Sequence, residues 1–466
     1  MWIFKAEGNP SSILPAEGES GFRMGGFDFP HPIPVLSIFR GRMSVRSGLV
    51  FLIASLLADT APALAAGFLI RENSTAAVGM TYAGTGSLAE GAETVFANPA
   101  GMTELSRDEL EAGATLINPD TRFRGSATAF GGAVSGTDGG NAGPLAGFPS
   151  LYGSFGLTDD LKAGIAVTIP FGNATDYGTG WVGRYLATKT MALSYDINPN
   201  LAWKLSDDIS IGAGFSAQYL KLDVTSAIAQ SIIFGVPAPD AFNRFVAHDW
   251  GFGFNLGALV KVGEASRVGL TYRSGVDHDI EGSLNFTGAS PLLGLMSGPA
   301  HARVKLPASM GASFTSDIDP ELTVSADVQF THWSVFQDIV VQSANPPADY
   351  RQNYRDSWML AAGARYRLGP QWTVRGGLAW DETPVMSRFR TVNLPDTDRF
   401  LLGMGSSYQL TDAVILSAAY AHSIAFARPT MDISANNTDP VTHAVVLHGH
   451  YDVNVDILSL SLRYQY

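Results

Sequence analysis

The chain of 466 residues has no cysteine. That excludes a disulfide framework and thiolate chemistry. It is short of positive charge, with 30 bases against 43 acids and a net charge of −13. Nucleic acid is therefore excluded as a partner, because phosphate binding needs basic surface. Beyond residue 57 no apolar run is long enough for a spanning helix of ~20 residues. No His-Glu-x-x-His occurs and no serine stands in a nucleophile elbow, so no nucleophile–base set supports an enzyme. His448 and His450, with His443 nearby, read as ordinary loop histidines, and no metal or other cofactor is expected.

One apolar run is present early. Met43-Ser-Val-Arg46 gives a short basic start, residues 48–57 are almost wholly apolar, and Ala63-Leu-Ala65 is a small-x-small cleavage pattern. Residues 43–65 are predicted to be a secretory signal peptide, with Ala66 the mature N-terminus. The run is too short for a membrane anchor. Residues 1–42 lack this pattern and are expected to be an upstream extension of the reading frame, with the true start at Met43.

From about residue 108 the period is two. Trp358, Leu360, Ala362, Ala364, Tyr366 and Leu368 alternate with Met359, Ala361, Gly363, Arg365 and Arg367. Phe252, Phe254, Leu256, Ala258 and Val260 alternate with Gly253, Asn255, Gly257 and Leu259. One face is apolar with aromatic ends and the other is small or polar, which is the lipid-out, lumen-in pattern of an outer-membrane strand. A sandwich strand would alternate too. Strand length, aromatic ends and connections that alternate short and long favour the barrel.

The predicted strands are 108–117, 150–157, 161–169, 190–204, 209–223, 250–262, 266–287, 301–316, 322–342, 354–368, 372–383, 398–410, 413–425 and 451–466. The fold class is therefore all-β, a 14-stranded antiparallel transmembrane barrel over 108–466. Such a barrel encloses more space than its side chains fill. Residues 66–107 are rich in Gly, Ala, Ser and Thr without sustained alternation. They are predicted to form an N-terminal hatch inside the lumen; a disordered periplasmic tail is the alternative.

The hatch region carries a family resemblance. Ala66-Gly-Phe68, Tyr82-Ala-Gly84 and Asn98-Pro99-Ala100 resemble the start of the FadL-type long-chain fatty acid transporters, a group that includes importers of aromatic hydrocarbons. In family order follow Ile169-Pro-Phe-Gly172, Trp181-Val-Gly-Arg-Tyr185, Trp333-Ser-Val-Phe336, Trp380-Asp-Glu-Thr-Pro384 and Leu394-Pro-Asp-Thr-Asp-Arg-Phe400. The resemblance implies a fourteen-stranded barrel with a hatch signature at Asn98, Pro99 and Ala100. It also implies ligand sites near the extracellular side and sideways release by a kinked third strand.

Independently of family, two extracellular loops are apolar. Ile232, Ile233 and Phe234 fall in one, and Leu292, Leu293, Leu295 and Met296 in the other. They form either a ligand-capturing groove, favoured here, or a cap packed on itself. Phe68 is a further candidate ligand contact. Lys221 lies where the resemblance implies a basic ligand-binding residue, but strict alternation from Ile209 puts it on the lipid side, as a snorkelling lysine. The second basic residue expected after Trp333-Ser-Val-Phe336 is missing; Ile339, Val340 and Val341 stand there, leaving room for a neutral hydrocarbon.

For sideways release, Gly164, Pro170 and Phe171 are the candidate break in the wall, since glycine weakens a strand and proline cannot donate. Asp327, Arg365, Arg375, Asp381 and Arg399 should face the lumen as a stabilising polar network. The expected function is passive import of hydrophobic molecules, long-chain fatty acids first, aromatic hydrocarbons second. A polar-solute porin and an outer-membrane lipase are the alternatives from other classes. Expected partners are the hydrophobic ligand, outer-membrane lipid and the barrel-assembly machinery, with the protein a monomer.

Overall fold

The computed structural model describes residues 67–466 except 232–234, 236, 289 and 434–444. The signal peptide and the upstream segment lie outside these residues, as do Ile232, Ile233 and Phe234.

Alternating apolar and small residues make fourteen antiparallel strands, several of them interrupted. They are β1 Glu109–Ala129, β2 Ala146–Gly156, β3 Leu161–Thr168 with Gly172–Asp176, β4 Lys189–Lys204, β5 Ile209–Ile228, β6 Ala241–Val262 and β7 Ser266–Arg273 with Val276–Thr287. Next come β8 Gly298–Leu306 with Ser309–Asp317, β9 Leu322–Thr331 with Asp338–Ser343, and β10 Ala348–Arg351 with Ser357–Arg367. The last are β11 Trp372–Asp381, β12 Arg399–Thr411, β13 Val414–Ala425 with Thr430–Ile433, and β14 Val445–Gln465. β1 pairs with β14 from Glu109↔Gln465 to Ala129↔Val445, so the sheet closes on itself.

Outward positions are large and apolar. Phe252, Phe254 and Leu256 on β6, Trp358 and Leu360 on β10, and Leu458 and Leu460 on β14 are all exposed, as suits a surface solvated by lipid. Several strands run well past their predicted tops. On β1 the outward set changes from Leu110, Ala112, Ala114 and Leu116 to Asn118, Asp120, Arg122 and Arg124, while the ladder to β14 continues unbroken. The lipid signature stops at the membrane surface; backbone pairing does not.

Residues 67–105 lie within the ring of strands. They contain α1 Thr75–Gly79, α2 Thr94–Ala97 and a 3-10 turn at Pro99–Glu104. Their contacts are with lumen-side groups all round the barrel. Tyr152 on β2 donates to the Asn73 carbonyl (2.6 Å), and Asn98 to that of Ala258 on β6 (3.0 Å). Ser87 meets Ser313 on β8 (2.7 Å), and Thr75 meets Ser459 on β14 (2.8 Å). Inward glycines make this fit. A Cβ on Gly212 would come within 2.6 Å of the Ala100 nitrogen, and one on Gly257 would collide with Asn98.

Candidate functional site: the hatch, the aromatic cage and the break in the wall

Asn98 is fully buried and satisfied three ways. Its amide donates to the carbonyls of Gly86 (2.6 Å) and Ala258 (3.0 Å), and its Oδ1 accepts from the Ala100 N–H (3.1 Å). The last bond caps the 3-10 turn, and Pro99 at its first position gives up only an N–H that would be orphaned there.

Above the hatch, toward the long loops, the lumen is apolar and aromatic. Phe68 sits with its ring centroid 4.9 Å from Trp333, 5.3 Å from Phe336 and 5.8 Å from Phe171. Tyr354 closes the cage 4.9 Å from Phe336. Leu220, Phe245, Ile280, Val304, Val341, Val385 and Leu394 belong to the same buried cluster. Gly67 has φ +67°, and a Cβ on it would meet the Trp333 ring, so only glycine fits here. Its N–H donates to Asp396 Oδ2 (2.9 Å), and the Thr383 hydroxyl donates to the same oxygen. Burial raises the Asp396 carboxyl to about 6, against the opposing pull of Arg399, the Thr383 hydroxyl and the Gly67 amide.

The wall is broken beside this cage. β2 and β3 pair from Leu151↔Val167 to Gly156↔Lys162 and no further. Above that, residues 146–150 of β2 have a ladder only with β1 and residues 172–176 of β3 only with β4, and at the top of the opening the Asp176 N–H donates to the Ala142 carbonyl (2.8 Å). β3 itself is kinked. Thr168 faces Asp196 but Gly172 faces Leu193, so one extra residue is accommodated at 169–171. The hatch takes up the backbone groups freed by the kink. Ile70 N–H donates to the Pro170 carbonyl (2.8 Å), and Gly172 N–H to the Phe68 carbonyl (2.9 Å). Leu69 thus forms a backbone bridge with Phe171 at the break, and the neighbouring Phe68 ring packs on that of Phe171.

A cavity of about 130 Å³ lies between hatch and wall, with Leu69 and Pro170 among its lining residues and Arg71, Tyr82, Phe96 and Arg273 beyond. Arg273 lies over the Phe96 ring at 3.9 Å and pairs with Asp196 (3.4 Å).

The family profile described as outer membrane protein transport protein (OMPP1/FadL/TodX) matches residues 56–466. The chain belongs to that family. It is 28% identical over 393 residues to a long-chain fatty acid transport protein of Escherichia coli O6:H1, covering 77% of this chain and 87% of the relative. A 47 kDa outer membrane protein of Pasteurella multocida is 28% identical over 394 residues, covering 80% of this chain and 90% of its own length. Among solved structures, a Pseudomonas aeruginosa FadL homologue superposes with a TM-score of 0.79 at 24% identity, over 86% of this chain and all of that one (100%). The Ralstonia pickettii toluene transporter TbuX gives 0.62 at 20% identity, over 86% of this chain and 99% of its own. The protein is an outer-membrane β-barrel transporter of hydrophobic compounds, in a family of transporter channels.

The sequence-derived candidates fall into place unevenly in this FadL-type barrel. Phe68, Pro170 and Phe171 converge at the kink. Gly164 does not belong to the break: it pairs with Ser154 on one side and Asn200 on the other, and its missing side chain makes room for Val95 and Met102 of the hatch. Lys221 sits among the outward set with Tyr219, opposite His248 and away from the lumen, as strict alternation requires. Leu293 is buried against Ile228 and Ala241, with Met296 packed on them, so the described parts of the two apolar loops cover each other; Leu295 alone among these stands 83% exposed. Leu292 lies in the short helix Pro291–Gly294.

The predicted lumen charges fall into three separate sets. Arg399 and Arg71 both reach Asp381 (2.6 and 3.3 Å). Arg365 and Arg375 are register partners and converge on hatch Glu90 (3.9 and 2.7 Å), while Asp327 accepts from Ser313 (2.8 Å) and from the Gly84 N–H. Arg71, Glu90 and Asp396 were not predicted as site residues. The partners that tie each of them to the far side of the hatch–barrel contact are more than 200 residues away in the chain, beyond the reach of any local pattern.

Proposed function

We propose that the protein imports long-chain fatty acids passively, from the aromatic cage above the hatch and sideways into the membrane between β2 and β3. The observation that carries this reading is the coincidence of an apolar cage with a break in the wall, joined at Phe68 and Phe171. A hydrophobic molecule leaving there passes from apolar side chains to lipid without meeting bulk water, which is the favourable direction for apolar surface. The hatch obstructs the straight route downward, and its contacts span the lumen. The sequence relatives named as long-chain fatty acid transport proteins support a fatty acid; the toluene transporter shares the fold and supports nothing finer.

Locking the gap tests the route. The chain has no native cysteine to interfere. One cysteine among residues 146–150 and one among 172–176, oxidised to a disulfide, should stop palmitate uptake by cells. A control lock across the intact ladder, at the register pair Ala362 and Leu378, should leave uptake unchanged. Equal uptake by both locked proteins would show that the ligand leaves another way.

A further inference from the structure

The wall beside the aromatic cage is interrupted a second time, between β8 and β9. Their ladder rises from Asp317↔Thr323 to Ser309↔Thr331, and the His332 N–H then donates to the Ala308 carbonyl (2.9 Å). The next register pair is His301↔Gln342, followed by Ala300↔Ser343. Among the described residues no backbone hydrogen bond joins 302–307 to 333–341. Seven steps on β8, from Ala308 to His301, face ten on β9, from His332 to Gln342, so β9 carries three extra residues there. The 3-10 turn Trp333–Val335 takes them up, closed by the Phe336 N–H on the Trp333 carbonyl (2.9 Å). The Ser334 N–H of this turn donates to Asp356 Oδ1 next to β10 (2.9 Å). The turn is thus tied to β10 and has no backbone bond to β8.

The other interrupted junctions are bridged. Between β6 and β7 the Ser274 N–H donates to the Phe254 carbonyl (2.9 Å). Between β9 and β10 the Gln352 and Tyr354 amides donate to the Gln337 and Phe336 carbonyls (2.7 and 3.1 Å). At the β2–β3 break the hatch supplies the bonds. The β8–β9 seam is closed by apolar side chains instead: Ala302, Val304 and Leu306 from β8, and Trp333, Phe336 and Val341 from β9, all in the buried cluster that holds Phe68. Parting such a seam breaks no ladder bond, which is the mark of a segment that opens locally.

Its height and its connections give it a use. Just below it the register pair Met310 and Phe330 faces outward, Met310 exposed and Phe330 4.9 Å from the exposed Trp358. Beside the seam the outward side chains are Arg303, Lys305 and His332, all exposed. The seam therefore starts where the lipid band gives way to headgroups. Inside, the cavity of about 130 Å³ has Ser309 and Gln329 on this side and Leu69 and Pro170 at the first break. Phe68 lies between the two breaks, 4.9 Å from Trp333 and 5.8 Å from Phe171.

We infer that the β8–β9 seam is a second lateral portal, through which an apolar molecule dissolved in the outer leaflet enters the cage. The inference rests on the import function proposed above and adds an entrance to it, on another part of the wall from the exit between β2 and β3. Apolar compounds concentrate in lipid because leaving water is favourable, so an entrance at the leaflet draws on the larger pool.

Photo-labelling from the lipid phase tests it on the mature protein in liposomes. The probe is hexadecane carrying a diazirine, dissolved in the lipid beforehand, and label on the peptide that holds Trp333 and Phe336 is read by mass spectrometry. Continuing the register from His301↔Gln342 would bring Val304 to Ile339. The double variant Val304→Cys, Ile339→Cys in this cysteine-free chain should be labelled while unlinked. Joining the two thiols with a short bismaleimide should lower the label several-fold. Capping them singly with N-ethylmaleimide, which adds bulk without a link, should preserve it, and so should the β2–β3 disulfide described above. Full labelling of the linked protein would overturn the portal. Loss of label with the β2–β3 disulfide alone would also overturn it, since the alkane would then reach the cage by the first break. Neither result touches the import route, which the effect of the β2–β3 disulfide on palmitate uptake decides separately.

Discussion

Asp396 illustrates how a single buried carboxyl couples two distant parts of the chain. It receives the first described amide of the hatch, at Gly67, on a loop that follows β11. Its value of about 6 means that the folded protein holds a proton between pH 3.8 and 6 that the unfolded chain has released. The contribution of this group to stability is therefore greatest below about pH 4 and is lost as pH rises through 6. The rise from 3.8 to about 6 corresponds to at most about 3 kcal/mol. Asp396→Asn keeps an acceptor for Gly67 and does not titrate. Its stability relative to wild type should increase between pH 4 and pH 7, by up to that amount. Thermal unfolding followed by the gel shift of the heat-modified barrel measures the difference, in which the other carboxylates cancel. A difference independent of pH would mean that Asp396 is not the group that titrates.

At the scale of elements, the strands were legible wherever one face meets lipid. Trp358 to Leu368 and Phe252 to Val260 alternate because lipid and lumen impose opposite demands on successive side chains. Above the membrane the outward face turns polar while the inward face packs into the apolar clusters of the mouth, so the lipid pattern inverts and the upper parts of β1, β5, β6 and β14 read as loops although their ladders continue. The interruption at residues 274–275 was missed because the chain alternates on both sides of it, and it shows only in the register: eight steps from Arg273 to Glu281 on β7 match seven from Asn255 to His248 on β6. Lys221 followed its periodicity, while Gly164 misled because glycine marks both a weak ladder and a close approach. The Asn98-Pro99-Ala100 turn was readable as a motif but its partners were not, since Gly212 and Gly257 look like any small lumen residues. Asn98→Ala removes the turn's cap and leaves the buried carbonyls of Gly86 and Ala258 without their donor. Each buried unpaired group costs about 1–3 kcal/mol. No ladder hydrogen bond is touched, so barrel assembly should be normal while the hatch seats poorly and palmitate uptake falls several-fold. Surface quantity measured beside uptake checks this; full uptake at wild-type surface levels would mean that Asn98 does not hold the hatch in its working position.

In the import route proposed above, the whole molecule separates two tasks, closure by the barrel and obstruction by the hatch. The ladder between β1 and β14 that closes the sheet is made of the two strands' own register pairs. The hatch, in turn, satisfies lumen groups that would otherwise face a wide polar tube. Arg375 pairs with Glu90 (2.7 Å), Asp381 with Arg71 (3.3 Å), and Ser313 with Ser87 (2.7 Å). Fourteen strands enclose more space than their own side chains occupy. Removing residues 67–105 should thus leave a closed barrel with a charged, hydrated bore. In planar bilayers the intact protein is expected to show little steady current, because a route from cage to lipid carries no ions. The deletion variant should conduct steadily and pass small polar solutes. Its conductance should rise with salt as for a water-filled pore, and its palmitate uptake should fall, since Phe68 leaves with the hatch and the cage at Trp333 and Phe171 loses its centre. A large, steady current through the intact protein would place the open path down the axis and make the gap at β3 incidental to transport.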